Sequence, residues 1–207
     1  PGCIIGAGAA GITIARALLG AKTSVCLLEG GAVDGDGASQ SLYLSARNVG
    51  RPYPILPGSR LRYFGGSTNH WGGHCVPMRA INFETAPWSD YSGWPISLDD
   101  LDPFYRRAEE ILGLNGASTD SQTVAGDLGQ ELFPFDSDRV QTQVSRYNPV
   151  RFGRVFRHEL ELSRNVKVVL GANVTSIEAR ESGERIDHVV VRTMDGRRLI
   201  VRAGAFV

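Results

Sequence analysis

Cys3-Ile4-Ile5-Gly6-Ala7-Gly8-Ala9-Ala10-Gly11-Ile12, answered by Glu29 at the end of a second apolar run, decides the reading of this 207-residue chain. The opening residues read as a buried strand that turns sharply into a helix. The three glycines of G-x-G-x-x-G serve separate ends there. Gly6 permits the turn, Gly8 lets backbone approach a pyrophosphate, and Gly11 lets helix and strand pack closely. The helix expected over 9–19 aims its unpaired N–H groups and positive dipole end at the same place. A diphosphate needs no side-chain cation there, and Ala9 and Ala10 join the glycines as candidate contacts.

Residues 23–28 read as the neighbouring strand, which puts Glu29 at its carboxyl end, about 20 residues beyond the glycines. A carboxylate there suits both hydroxyls of an adenosine ribose and repels a 2′-phosphate, which disfavours NADP. A glycine-rich turn kept only for packing is the bland alternative. Strand, helix, second strand and acid in register favour a nucleotide site over it.

The length allows one large domain or a domain with an inserted subdomain. With 42% apolar and 21% charged residues, the composition is that of an ordinary soluble globular protein. Lys plus Arg and Asp plus Glu are balanced at 22 each, so no global field recruits nucleic acid or an anionic membrane. Acids gather between Asp90 and Asp138 and basics between Arg146 and Lys167, and solvated faces account for both. Arg146-Tyr147, Arg151-Phe152 and Arg154-Val155-Phe156-Arg157 interleave cations with aromatics, but nothing else supports a single-strand nucleic-acid surface.

Cys3, Cys26 and Cys75 are too few and too scattered for a disulfide framework or a zinc site. Cys3 and Cys26 read as small hydrophobes in buried strands, and Cys75 as a packing residue. No run has transmembrane length, and no signal or lipidation pattern is visible. A cytoplasmic location is slightly favoured. Residues 202–207 form an apolar run like a strand entering a core, and the chain reads as a piece of something larger, with room for a targeting segment before it.

Residues 30–50 read as a loop, and Pro52, Pro54 and Pro57 are expected to keep the next stretch extended and non-helical. Arg60-Leu61-Arg62-Tyr63-Phe64 then leads into Gly65-Gly66-Ser67-Thr68-Asn69-His70-Trp71-Gly72-Gly73, whose glycines imply backbone close against something flat or bulky. Ser97 reads as the N-cap of a helix with Leu101, Phe104, Tyr105, Ala108, Ile111 and Leu112 on a core-facing stripe. A loop over 113–129 follows, then Phe133-Pro134-Phe135, which covers or fills a cleft, and a short helix over 155–163. Residues 166–170 read as a strand. Residues 174–179, 186–193 and 198–202 read as an antiparallel meander with its last turn at Asp195-Gly196.

Taken together, Ile4-Ile5-Gly6-Ala7-Gly8-Ala9-Ala10-Gly11, Leu28-Glu29-Gly30-Gly31, the segment from Arg62 to Gly73 and Gly93-Trp94-Pro95-Ile96-Ser97 resemble the glucose-methanol-choline oxidoreductases in residues, order and spacing. The resemblance covers nearly the whole chain, strongest over 2–114 and 166–207. It implies an α/β fold: a Rossmann-like FAD-binding domain with a small antiparallel β-meander and part of an inserted substrate domain. The FAD-binding domain would take 1–78 and 158–207, the substrate or cap portion 79–157, and the carboxyl-terminal half of the family's chain would lie outside this sequence.

The implied cofactor is FAD, with its pyrophosphate on Gly6, Gly8 and Gly11 and its adenosine ribose on Glu29. The Gly65-Gly66 loop would run along the flavin, Arg62, Asn69, His70, Trp71 and Gly72 would be further cofactor contacts, and Asn173-Val174 would meet the adenine. Some members carry a histidine at the place of His70 bonded to the flavin 8α carbon, where a neutral imidazole attacks the electrophilic methide form of the 8-methyl group. Others bind FAD reversibly, some with a similar His-Trp pair, so covalent attachment, simple proximity and a structural histidine all stay open for His70. His74 has a weaker claim. Trp71, Trp88 and Trp94 line a cleft or anchor their loops, and only Trp71 is placed by the motif.

The implied activity is oxidation of a CH–OH group of an alcohol or sugar by hydride transfer to flavin N5, with oxygen, a quinone or a redox protein as electron acceptor. The family's base comes from the carboxyl-terminal half, so no catalytic residue is assigned here, and His158 and His188 read as exposed polar residues. No nucleic acid, membrane segment or metal is implied. The isolated chain is expected to bind flavin weakly and turn over nothing. A hydroxynitrile-lyase-like flavoprotein and a plain NAD-binding module are the alternatives.

Overall fold

A computed structural model describes residues 1–52, 56–89, 91–114, 116, 118–135 and 139–207. In chain order the elements are β1 (Gly2–Ile5), α1 (Ala9–Ala17), β2 (Val25–Leu28), α2 (Gly37–Ser41), α3 (Leu56–Ser59), β3 (His74–Cys75), α4 (Leu98–Leu112) and α5 (Ser121–Asp127). They continue with β4 (Arg146–Tyr147), α6 (Phe152–Val155), α7 (Arg157–Glu161), β5 (Val166–Val169), β6 (Asn173–Ala179), β7 (Ile186–Arg192), β8 (Arg198–Val201) and β9 (Ala205–Phe206). Two units result, one built from Pro1–Trp71 and Arg151–Val207, the other from Gly72–Val150.

In the first unit β5, β2, β1 and β9 lie side by side in that order, every pair parallel. Such strands are covered on both faces, which is why they read as apolar runs rather than alternating ones. Cys3, Ile4, Leu27 and Leu28 are buried in them, and α1 packs Ile12 and Ala15 inward. Gly11 makes that packing possible, because a Cβ there would lie 1.9 Å from the Gly6 carbonyl oxygen. The apolar run at 202–207 supplies β9, with Gly2 opposite Ala205 and Cys3 opposite Phe206.

The expected meander is β6-β7-β8, antiparallel throughout. Val189 and Val191 from its middle strand join Cys3, Leu28 and Ala172 in one core cluster. Its last turn carries Gly196 at φ 87° and is closed by the Thr193 N–H donating to Arg197 O at 3.0 Å.

Several local expectations are corrected. The 30–50 segment holds α2, whose start is capped by the Asp36 carboxylate accepting the Ser39 N–H at 2.6 Å. Residues 56–59 are helical rather than extended, since Pro57 falls in the first turn, where a missing N–H costs nothing; Pro54 lies outside the described residues. The single helix expected over 155–163 is two, α6 and α7, parted at Phe156 with φ −102° and ψ 2°.

In the second unit α4 has the predicted Ser97 cap, with the Ser97 N–H donating to Asp100 Oδ2 at 2.8 Å, and ends at Gly113 in the left-handed region. Its apolar stripe is covered only in part: Leu101, Tyr105, Ala108, Ile111 and Leu112 are half-buried, none is fully buried, and Phe104 is 59% exposed. The loop expected over 113–129 contains α5, capped by Asp120 accepting the Thr123 N–H at 2.7 Å. Phe133 and Phe135 are exposed, their rings tilted against each other with centroids 4.8 Å apart. Trp88 and Trp94 are exposed too and do not anchor their loops by burial.

Candidate functional site

Gly6 turns the chain out of β1 at φ 100°, a conformation open to glycine, and its N–H donates to Leu28 O at 2.7 Å. Gly8 precedes α1 with no side-chain cap, and a Cβ there would meet nothing within 4 Å. The first bond of α1 runs from the Ile12 N–H to Gly8 O at 3.0 Å. The N–H groups of Ala9, Ala10 and Gly11 therefore have no acceptor within the helix, the condition for receiving an anion at its start.

Glu29 is buried, and both of its oxygens are engaged: Oε2 accepts the Ala7 N–H at 2.9 Å and Oε1 the Gly31 N–H at 2.9 Å. A carboxylate offers about four lone-pair positions, so capacity is left for two more donors. The acid at the end of β2 thus staples the glycine turn after β1 to the turn after β2.

The second glycine segment meets the first. The Gly65 N–H donates to Ala7 O at 2.7 Å, and a Cβ on Gly66 would lie 3.3 Å from the Gly8 Cα. The bulky object that Gly65 and Gly66 avoid is therefore partly the protein's own backbone, Gly8 on one side and Gly153 on the other. A groove of about 300 Å³ is lined among others by Gly6, Gly8, Glu29, Arg62, Gly66 and Val174.

Other predicted residues stand off that lining. Gly11 is consumed by helix–strand packing. Asn69 braces its own turn, its Nδ2 donating to Phe64 O at 2.8 Å. His70 is exposed, with its ring edge-on to Tyr63 and centroids 6.0 Å apart. Trp71 follows at the end of the 3₁₀ turn Gly66–Asn69, its N–H donating to Ser67 O at 3.0 Å. Gly72 belongs to the second unit.

Arg62 lines the groove and is held by several partners. Its Nη2 donates to Asn173 Oδ1, its Nε to Ser39 Oγ at 3.3 Å, and its guanidinium lies 5.6 Å from the Tyr43 ring centroid. Tyr43 also lines the groove and carries no signal in the sequence, because it follows the inconspicuous Asp36 cap. Arg151 is a second residue that sequence reasoning does not find: its Nη1 donates to Trp71 O at 2.7 Å and Thr68 O at 3.3 Å. Burial raises the Tyr63 phenol above its ordinary value, with the Asn69 hydrogen bond and Arg151 pulling the other way.

His188 is not the exposed residue expected; it is largely covered, with Nδ1 2.8 Å from Asp187 Oδ2. That hydrogen bond, aided by Arg202 and Arg180, holds the Asp187 carboxyl below its ordinary value. His158 is exposed. Among the described residues no three His, Cys, Asp or Glu could together hold a metal, and no helix is long and apolar enough to cross a membrane.

No protein-family model matches the chain. A 2-methyl-1,2-propanediol dehydrogenase from Mycolicibacterium austroafricanum is 30% identical over 121 residues, which is 55% of this chain and 19% of that protein. Among solved structures, a formate oxidase superposes over 98% of this chain and 44% of its own, with a TM-score of 0.57 and 18% identity. A variant of the Aspergillus oryzae RIB40 formate oxidase, made to study FAD modification, gives 0.56 at 17% identity, over 98% of this chain and 44% of that chain. A pyridoxine 4-oxidase from Mesorbium loti gives 0.54 at 17% identity, over 99% of this chain and 48% of that one. The chain thus spans under half the length of these structures and about a fifth of the dehydrogenase. The glucose-methanol-choline resemblance is borne out in the fold, a mixed α/β fold with a parallel sheet that these oxidases share.

Proposed function

We propose that this chain is the FAD-binding portion of a glucose-methanol-choline-type oxidoreductase that oxidises a CH–OH group of an alcohol or sugar. The observation that carries the reading is the meeting of the two glycine segments, Gly65 N–H on Ala7 O and Gly66 against Gly8, beside a groove edged by Glu29 and Val174. A plain NAD module accounts for the first segment and leaves the second without a purpose. The names of the relatives agree, since all are oxidases or a dehydrogenase.

The residues present fit the cofactor. The N–H groups at the start of α1 would take the diphosphate. The spare lone pairs of Glu29 would accept ribose hydroxyls, and Arg62 with Asn173 and Val174 would border the adenine. The His70–Trp71 end of the second segment would flank the ring system. When bound, FAD supplies the hydride acceptor, N5, toward which the alcohol carbon would deliver its hydride. Arg62 is held by its bonds to Asn173 and Ser39, and a side chain fixed by protein partners lowers the ordering cost of binding. The proton of the alcohol needs a base, and none of the four histidines of this chain is assigned that part.

Purification of the intact protein tests the reading. A yellow product absorbing near about 450 nm is expected, and a nicotinamide cannot give that band. Anaerobic addition of an alcohol substrate should bleach it. A flavoprotein lyase would stay yellow, and a colourless protein that binds NAD would overturn the assignment.

A further inference from the structure

We infer that Arg151 is a positioning residue for the flavin-facing segment: carried on the 151–161 stretch, it clasps the Thr68 and Trp71 carbonyls and fixes His70 and Trp71 relative to the phosphate turn. The inference rests on the flavin reading above and gives it a mechanical part.

Three contacts build the clasp. The guanidinium reaches across 80 residues to Trp71 O at 2.7 Å and across 83 to Thr68 O at 3.3 Å. Thr68 belongs to the 3₁₀ turn Gly66–Asn69 and Trp71 follows its C-cap, His70, so both carbonyls lie at the carboxyl end of the turn, where a donor is needed from outside. Two residues on, Gly153 lies backbone to backbone with the same segment: a Cβ on Gly153 would sit 2.2 Å from Phe64 O, and one on Gly65 would sit 2.5 Å from Gly153 N. Only a pair of glycines allows that approach. At its far end the stretch grips α1, where the Arg16 guanidinium lies 3.8 Å from the Phe156 ring centroid and pairs with Glu159.

The stretch therefore ties α1, whose start would face the diphosphate, to the segment that would face the ring system. It sets the spacing between the two ends of one ligand. Arg151 Nη1 donates to both carbonyls and the residue is absent from the groove lining, so its role is geometric. A ligand held at two places gains affinity only while both places keep their separation. ADP, which lacks the ring system, samples the first place alone.

The test uses the intact apoprotein as wild type, Arg151→Met and Arg151→Lys, with dissociation constants measured for FAD and for ADP. Arg151→Met should weaken FAD at least tenfold, leave ADP within twofold and raise the fluorescence of bound flavin. Arg151→Lys, able to reach one carbonyl, should show the same split at about threefold, and it carries the test alone if Arg151→Met does not fold. Equal weakening of FAD and ADP would reduce Arg151 to general stability and overturn the inference, as would unchanged FAD affinity. Wild-type protein that binds ADP but not FAD would overturn the flavin reading first and the clasp with it.

Discussion

The carboxylate of Glu29 accepts the backbone N–H of Ala7 at 2.9 Å while its second oxygen holds Gly31, so one acid ties together the turns that follow β1 and β2. The proposed ribose contact would thus be a second duty laid on a structural staple. Glu29→Gln keeps one carbonyl oxygen and turns the other acceptor into a donor facing an N–H. We expect it to cost about 1–3 kcal/mol in urea unfolding of the apoprotein, from the loss of a charge-assisted bond and a stranded buried donor. A loss confined to cofactor affinity, with unfolding unchanged, would show that the two backbone bonds contribute nothing.

Gly8 and Gly11 sit in one motif and should fail differently. Gly11→Ala drives a methyl group to 1.9 Å from the Gly6 carbonyl and should destabilise the fold by at least about 3 kcal/mol. Gly8→Ala meets nothing within 4 Å on a backbone of φ −81°, so stability should hold within about 1 kcal/mol while FAD affinity falls about tenfold. Calorimetry and cofactor titration of the two variants separate these outcomes, and equal destabilisation would contradict the assignment of Gly8 to ligand approach.

What was legible in the sequence was what is short-range. Gly6, Gly8, Gly11 and Glu29 lie within one βαβ unit, and the meander announces itself through alternating apolar residues. Along the groove, Gly6, Gly8 and Glu29 follow from that motif, whereas Arg62, Gly66 and Val174 follow from family resemblance. Helices α2 and α5 were hidden because their small polar residues look like loop, and only the caps at Asp36 and Asp120 betray them. The exposure of Phe104 and Trp88 was illegible since periodicity tells which face is apolar and not whether anything covers it. Arg151 could not be found at all: its partners are 80 and 83 residues away, and only the folded chain brings them together.

Cys3 sets an alkaline limit on stability. Burial in β1, with Cys26 opposite, pushes its thiol from 9.0 up to about 11. Between those values the unfolded chain has released this proton and the folded one retains it, so the unfolded state binds fewer protons and stability falls as pH rises. Unfolding free energy should decline from pH 9 toward 11. Cys3→Ala should flatten that limb despite a lower starting stability, and a slope unchanged by the substitution would assign the decline to other groups. A thiol reagent at neutral pH should leave Cys3 unlabelled until the protein unfolds.

Arg16 separates two kinds of surface ion pair on adjoining helices. Its partner Glu159 and the Phe156 ring face it at once, with the Arg16 side chain 26% exposed, so the pair is partly shielded and the ring contact adds to it. Arg157 and Glu161 form an i,i+4 pair on α7 with side chains 44% and 49% exposed, open to water and to screening salt. Arg16→Ala should therefore cost about 1–2 kcal/mol, and Arg157→Ala no more than about 0.5 kcal/mol. Measured in urea at low and high salt, the Arg157→Ala effect should shrink with salt, while much of the Arg16→Ala effect persists through the ring contact. Equal costs at both sites would mean that Phe156 adds nothing to the grip of α7 on α1, and the anchoring end of the Arg151 clasp would lose its physical basis.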